Sequence, residues 1–206
     1  MRNYQPYMNV STGLWALDRG DGMTELELLD ALVARLTELF KNYELTAKSG
    51  LLQNVRVFAQ YLPQPQPVTT EDNEEAIEPQ GYTAADIESN FPCVIVKVDE
   101  ATDREEGSMN ATRINMRLLV YVYDESPDCQ GYRDVLNIIE TIRQELLTLP
   151  GRVLDKRYRL EMPMKNYLFD EQIWPIYVGQ IETVWETGRP IMPRNFEGRL
   201  PPYARG

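Results

Sequence analysis

Histidine is missing from this 206-residue chain, and cysteine occurs only twice, at Cys93 and Cys129. Without histidine, the commonest general base and the usual nitrogen ligand of zinc are both absent, so histidine-dependent catalytic triads are excluded. Two cysteines form no disulfide framework, and no histidine is present to activate either thiol. Two free thiols are the expected state. There are two alternatives: a disulfide, and a reactive thiolate at Cys129, which lies just before a predicted helix.

Long apolar runs are also missing from the chain. No stretch has the length of a membrane span, and the first residues lack the apolar segment of a signal peptide. We therefore expect a cytoplasmic protein without membrane contact. The mean hydropathy is −0.44, and 14 prolines are present, which indicates one core with long irregular appendages.

Acidic residues outnumber basic ones and give a net charge of −11. Almost all of this imbalance lies in residues 63–111, where twelve acidic and two basic residues give −10. Such a surface repels the phosphate backbone, which argues against tight or sequence-specific binding of nucleic acid. It remains compatible with the wall of a channel through which DNA slides.

The strongest pattern in the sequence is a long strand followed by an amphipathic helix, within residues 112–147. In residues 112–123 apolar side chains alternate with polar or aromatic ones, which predicts a strand with one buried face. Residues 124–128 (DESPD) break the strand and offer carboxylates as acceptors for a helix N-terminus. From Tyr132 the apolar positions recur with helical period, and Pro150 and Gly151 end the helix.

A second helix and four more strands are predicted elsewhere. Thr24 and Glu27 have the spacing of a capping box, which predicts that the first helix begins there. Residues 49–50 (SG) close this predicted segment. Strands are expected at residues 54–62, 91–98, 157–165 and 176–187, and Pro163 makes the third of these an edge candidate. The order of elements predicts an α+β fold: a mostly antiparallel sheet of about five strands with two amphipathic helices packed on one face.

The domain organisation follows from composition. Residues 1–22 form an extended N-terminal arm in which Trp15 is the candidate anchor, either on its own domain or on a partner. Residues 23–187 form a single α+β domain with an acidic, proline-rich insertion at 63–90. Residues 188–206 form an extended tail with a net charge of +3, which either reaches an identical neighbour or is a frayed terminus.

No motif for enzyme chemistry occurs in the chain. A glycine-rich phosphate loop, a nucleophile elbow and a metal-ligand spacing are all absent, so we expect no cofactor. The predicted loop at residues 99–111 is rich in acids, but its spacing does not match a calcium-binding EF-hand, and a solvated loop explains it. A glycoside hydrolase that uses two carboxylates is a remote alternative, since it needs paired acids in a concave site.

Five segments, taken in order, carry a recognisable pattern: 91–98, 113–123, 123–143, 169–175 and 179–186. They cover about half of the chain, from residue 91 to 187, and the most specific parts are GYRDVLN at 131–137 and IETVW at 181–185. Together they resemble the tail terminator (tail completion) proteins of long-tailed bacteriophages. The insertion at 63–90, the N-terminal arm and the C-terminal tail depart from the family pattern.

The resemblance implies a structural virion protein, not an enzyme, assembled in the cytoplasm of a host bacterium. It would form a ring, a hexamer, on the last ring of the tail tube, stop tube growth, meet the head connector and let DNA pass without specific binding. A head-side connector or adaptor protein of the same neck is the alternative. If a ring forms, we expect acidic residues at the lumen and the tail between subunits. The lumen candidates are Glu100, Asp103, Glu105 and Glu106, and the tail candidates are Arg189, Arg194, Phe196 and Arg199.

Overall fold

A computed structural model describes residues 24–63, 87–106 and 109–188 of the chain. Two α-helices and eight β-strands occur in this part. In chain order they are α1 (Glu25–Leu39), β1 (Glu44–Thr46), β2 (Leu52–Asn54), β3 (Arg56–Ala59), β4 (Cys93–Glu106), β5 (Met109–Tyr123), α2 (Gly131–Thr148), β6 (Val153–Leu154), β7 (Tyr158–Leu168) and β8 (Ile176–Gly188). Neither described helix is both long and apolar enough to cross a membrane.

Six strands form the main sheet in the order β3-β4-β5-β8-β7-β6, while β1 and β2 form a separate antiparallel pair. Strands β3 and β4 run parallel, and the other neighbours in the sheet run antiparallel. The α+β class and the two helices are as predicted. The expectation of about five, mostly antiparallel strands is wrong in detail, because the sheet is mixed and includes the two-residue strand β6.

Both helices pack on one face of the sheet and enclose the main core. The alternation predicted for β5 is present, since Ile114, Met116 and Leu118 are buried while the residues between them are partly exposed. Helix α2 contributes Ile138, Ile142 and further apolar side chains to the same core. Burial of these apolar surfaces is the main favourable contribution to folding.

The opposite face of the sheet has a smaller apolar cluster at one end. Phe91, Cys93, Ile95 and Tyr123 are buried there, and the rings of Phe91 and Tyr121 stack with their centroids 5.3 Å apart. The buried part of β4 is therefore covered on both faces, which agrees with its nearly continuous apolar sequence.

The first turn of α1 is fixed to strand β7. Thr24 caps the helix as predicted, since its Oγ1 accepts the N–H of Glu27 at 3.2 Å. The Glu27 carboxylate contacts β7: the Tyr158 hydroxyl donates to it at 3.2 Å and also to the Thr24 carbonyl at 3.0 Å. Arg157 forms an ion pair with the same carboxylate at 3.4 Å. These contacts join the start of α1 to the start of β7.

Three boundaries differ from the predictions. The first helix is predicted to continue until residues 49–50, but α1 ends at Leu39 and is followed by the hairpin of β1 and β2, which the sequence did not indicate. The expected strand at 54–62 is divided at Val55, whose N–H donates to the Tyr43 carbonyl at 3.0 Å. The expected strand at 91–98 continues to Glu106, through the residues predicted to form a loop.

Candidate functional surfaces

The four candidate lumen residues lie on a strand, and the prediction of an acidic loop is wrong. Glu100, Asp103, Glu105 and Glu106 all belong to β4, which pairs with β5 along its whole length. Backbone pairing with β5 holds this segment extended although aspartate and glutamate are poor strand formers. We call residues 99–106 the acidic edge; their net charge is −4.

Residues 99–104 of the acidic edge are exposed on both faces of the sheet. Every residue from Asp99 to Arg104 is exposed, whereas Cys93 to Val96 in the same strand are buried. Strand β3 pairs with β4 only as far as Val96, and the Gln60 side chain accepts the N–H of Val98 at 2.8 Å. Beyond Val98, no strand in the described part of the chain pairs with the outer side of β4.

Polar contacts within the sheet hold several of these carboxylates. Arg117 on β5 donates to Asp99 Oδ1 from its Nε at 3.2 Å and from a terminal nitrogen at 2.5 Å, and this hydrogen bonding raises the pKa of Arg117. The Thr112 hydroxyl donates to Asp103 Oδ1 at 2.7 Å, and the Asn115 amide donates to Glu100 at 3.4 Å. These contacts orient the acids along the strand and bring none of them together as a catalytic pair.

Carboxylates and guanidinium groups alternate on the face of the sheet that lies away from the helices. An open cleft of about 360 Å³ is found there, lined by Arg152, Arg159, Leu160, Glu161, Met162 and Glu186. Arg113 forms an ion pair with Glu161 at 3.2 Å, and Glu186 lies opposite both Arg113 and Arg159 in the strand register. A hydrolase with two carboxylates needs two acids that face the substrate, whereas here the Glu161 carboxylate is engaged by Arg113.

The resembling motif at 131–137 forms the start of α2, directly after the loop that follows β5. A Cβ on Gly131 would lie 2.4 Å from the Tyr177 ring and 2.8 Å from Asp124 Cβ, so only glycine fits where the helix begins. Asp124 accepts the backbone N–H of Ser126 at 2.9 Å. The expectation that the acids of this loop cap the helix is not met, because Gln130 is the N-cap and makes no side-chain capping bond.

The two cysteines are free thiols in different surroundings. Cys93 is buried, and burial raises its pKa to about 12, so this thiol is protonated and unreactive at neutral pH. Cys129 is exposed beside Tyr177, whose own pKa is raised to about 12 by burial and by a hydrogen bond to Cys129. Neither environment supplies a base that would activate a thiol.

An apolar groove is a surface feature that the sequence does not indicate. It lies beside the smaller cluster and is lined by Tyr61, Leu62, Ile87, Leu119 and Tyr121 among others, with Lys97 at its rim. Tyr61 is 74% exposed. Alternation in β5 indicated that Leu119 and Tyr121 lie on the face away from the helices, but it did not indicate that they meet Leu62 and Ile87.

The remaining candidate residues lie outside the described part of the chain. They are the arm residue Trp15 and the tail residues Arg189, Arg194, Phe196 and Arg199, and most of the acidic insertion at 63–90 also lies outside it. Within residues 24–63, 87–106 and 109–188, no group of three or more cysteine, aspartate and glutamate side chains could hold a metal ion. In comparisons with known proteins, no family model matches the chain and no curated protein matches it.

Proposed function

We propose that this chain is a structural virion protein that forms a hexameric ring at the head-proximal end of a bacteriophage tail tube. The ring terminates tube growth, provides the interface to the head connector and encloses a channel for DNA. The protein is not an enzyme and needs no cofactor. It is assembled in the cytoplasm of the host bacterium and is located in the neck of the virion.

The observation that carries this proposal is the long, open strand β4. Monomeric proteins keep edge strands short, cover them or blunt them, because an unpaired edge recruits other chains. Residues 99–104 extend beyond the helix-covered core with both faces exposed, and no described strand pairs with their outer side. The charges of this segment and the bulge between Val98 and Glu100 disfavour backbone pairing with another chain, so we propose that the strand meets a neighbour through its side chains.

The resemblance to tail terminator proteins supports the same conclusion. The resembling segments coincide with one structural unit, from β4 through α2 to β8. Their most specific residues have packing roles: Gly131 and Gly179 allow close approach, and Trp185 is fully buried. Residues with packing roles are expected in a structural protein, because such a protein needs a stable fold and no reactive groups.

The charge of the acidic edge fits a channel for DNA. Residues 99–106 have a net charge of −4, and carboxylates near the lumen repel the phosphate backbone. A lumen lined by arginine would instead bind DNA and retard its passage. We therefore propose that the acidic edge lies next to the lumen of the ring.

Termination of tube growth can be measured directly. Purified full-length protein is added to tail-tube protein that is polymerising in vitro, and tube lengths are measured by electron microscopy. We expect shorter tubes with one end closed by additional density. Unchanged lengths with no density at either end would contradict the proposal. Binding to the portal complex, without binding to tubes, would identify the head-side connector instead.

A further inference from the structure

We propose that the acidic edge of one copy docks against the opposite flank of the next copy, at residues 152–168. We call that segment the basic flank. This inference rests on the proposed ring and identifies which surfaces of the subunit form it. The partner is a second copy of this chain.

The two surfaces lie on opposite sides of the same sheet. In the order β3-β4-β5-β8-β7-β6, the acidic edge of β4 is outermost on one side beyond Val98, and β6 with β7 is outermost on the other. Strand β6 covers β7 only at Tyr158 and Arg159. From Glu161 to Leu168, no strand in the described ranges pairs with the outer side of β7. Each copy therefore offers two different sides, which is the requirement for a head-to-tail contact.

The charges of the two surfaces are complementary. The basic flank contains five basic and two acidic residues, a net charge of +3, in a chain whose overall charge is −11. The acidic edge has a net charge of −4. Arg159 and Lys165 on β7 and Lys156 before it are exposed. Opposite charges of this kind steer encounter and fix the orientation of two partners.

The two surfaces also lie at the same height along the strands. Glu100 is aligned with Asn115 on β5, Asn115 with Val184 on β8, and Val184 with Glu161 on β7. A second row, two residues away, runs through Thr102, Arg113, Glu186 and Arg159. The acidic edge and the basic flank are thus connected by rows of residues that are paired across neighbouring strands of the sheet.

These rows have a consequence for assembly. A head-to-tail contact generates a closed ring when the rotation between neighbouring copies closes, and a helical filament when it does not. Glu100 is aligned with Glu161 and Thr102 with Arg159, so a displacement of two residues along the strands brings Glu100 against Arg159 instead of a like charge. Pro163 and the bulge between Glu161 and Lys165 interrupt the β7 edge, which disfavours a continuous backbone ladder there. The contact is therefore made mainly by charged side chains.

Charge reversal tests this contact in the full-length protein. Glu100→Lys changes the acidic edge, Arg159→Glu changes the basic flank, and Lys156→Glu is a second flank variant in an exposed turn. Glu171→Lys is the matched control, since it makes the same charge change at an exposed position outside both surfaces. Mass in solution and negative-stain images are recorded at low salt, alone and with tail tubes, and circular dichroism checks the fold.

We expect each reversal to weaken assembly about tenfold, because it replaces an attraction between partners with a repulsion. The control should assemble like the wild type. An equimolar mixture of Glu100→Lys and Arg159→Glu should recover assembly, because each variant then meets a complementary surface on the other. Added salt should weaken wild-type assembly.

Two results would overturn the inference in distinguishable ways. If rings form and neither the edge variant nor the two flank variants changes them, the contact lies elsewhere and the proposed ring function is unaffected. If the wild-type chain forms no ring either in solution or on tube ends, both this contact and the proposed function are wrong.

Discussion

Strand β4 consists of two halves that differ in almost every physical property. In its first half, Cys93 to Val96 are at most 7% exposed and lie between the helices on one face and the smaller cluster on the other. In its second half, Asp99 to Arg104 are all exposed and mostly charged. Both halves pair with β5, in a ladder that is interrupted by a bulge between Val98 and Glu100, but only the first half also pairs with β3.

The difference shows that two separate requirements act on one strand. The first half is determined by packing, because apolar side chains must fill the space between the two layers. The second half contributes little buried apolar surface, so folding alone does not explain its length. Its extended conformation and its charge are explained if it contacts another copy. The substitutions below test this division, beginning with the largest expected effect.

A buried charge in the first half should be the most damaging change. Val96 is 0% exposed, so Val96→Asp places a carboxylate in the core without a partner and should cost more than about 4 kcal/mol or abolish folding. The matched change Ala101→Asp in the second half should alter the free energy of unfolding by less than about 0.5 kcal/mol. Urea denaturation measures both. Equal costs would remove the distinction between the halves.

A methyl group at Gly179 should cost about 1–3 kcal/mol, through overpacking of the helix-covered face. A Cβ there would lie 2.5 Å from Val135 Cγ1 and 2.8 Å from Ile139 Cδ1. Gly179→Ala is measured by thermal denaturation, alone and together with Val135→Ala. If crowding is the cause, the double variant loses less stability than the sum of the two single variants. Strict additivity would refute close approach of α2 as the role of this glycine.

Sequence patterns identified the packed region better than the exposed one. Alternation from Ile114 to Leu118 and the helical period after Tyr132 are consequences of burial, because burial of one face requires apolar side chains at regular positions. The extension of β4 through the acidic edge produces no such pattern in the sequence. It depends on pairing with β5, a tertiary contact that overrides the low strand propensity of acidic residues.

Other parts of the fold were also not readable from local sequence. The parallel pairing of β3 with β4 joins residues separated by the whole insertion, and no local pattern encodes it. The close approach of α2 to Gly179 and Gly131 depends on tertiary geometry, although both glycines stand in resembling segments. The charges of Glu100 and Asp103 are visible in the sequence, but their position on a strand is visible only in the structure.

Removing the Tyr158 hydroxyl should cost about 1 kcal/mol, since it donates to the Thr24 carbonyl and the Glu27 carboxylate. Burial and the charge of Glu27 raise the pKa of Tyr158 from 10.0 to about 12. Its contribution to stability is therefore complete below pH 10 and is lost as the pH rises towards 12.

Because the pKa of Tyr177 is also raised to about 12, the contribution of Tyr158 is isolated by comparison with Tyr158→Phe. Chemical denaturation of the wild type and of Tyr158→Phe is compared between pH 8 and 12, a range that spans the ordinary and the raised pKa. The difference in unfolding free energy should shrink as the pH rises. A constant difference would show that the hydroxyl contacts do not stabilise the folded state.

The smallest effect is expected at the junction between the halves of β4. Asp99→Asn removes the charge that pairs with Arg117, and both side chains are about one third exposed. Exposed ion pairs contribute little, so the free energy of unfolding should fall by less than about 1 kcal/mol. The free energy of unfolding of Asn115→Ala, a substitution on the neighbouring strand β5, serves as the comparison. A loss of several kcal/mol for Asp99→Asn would mean that the second half of β4 belongs to the folding core.

The most direct test of the central claim is the mass and shape of the full-length protein on tail-tube ends and in solution. Native mass spectrometry and electron microscopy should show a closed ring of six copies with the acidic edge of each copy near the channel. A chain that remains monomeric in solution, and adds no density to tube ends, would contradict the account.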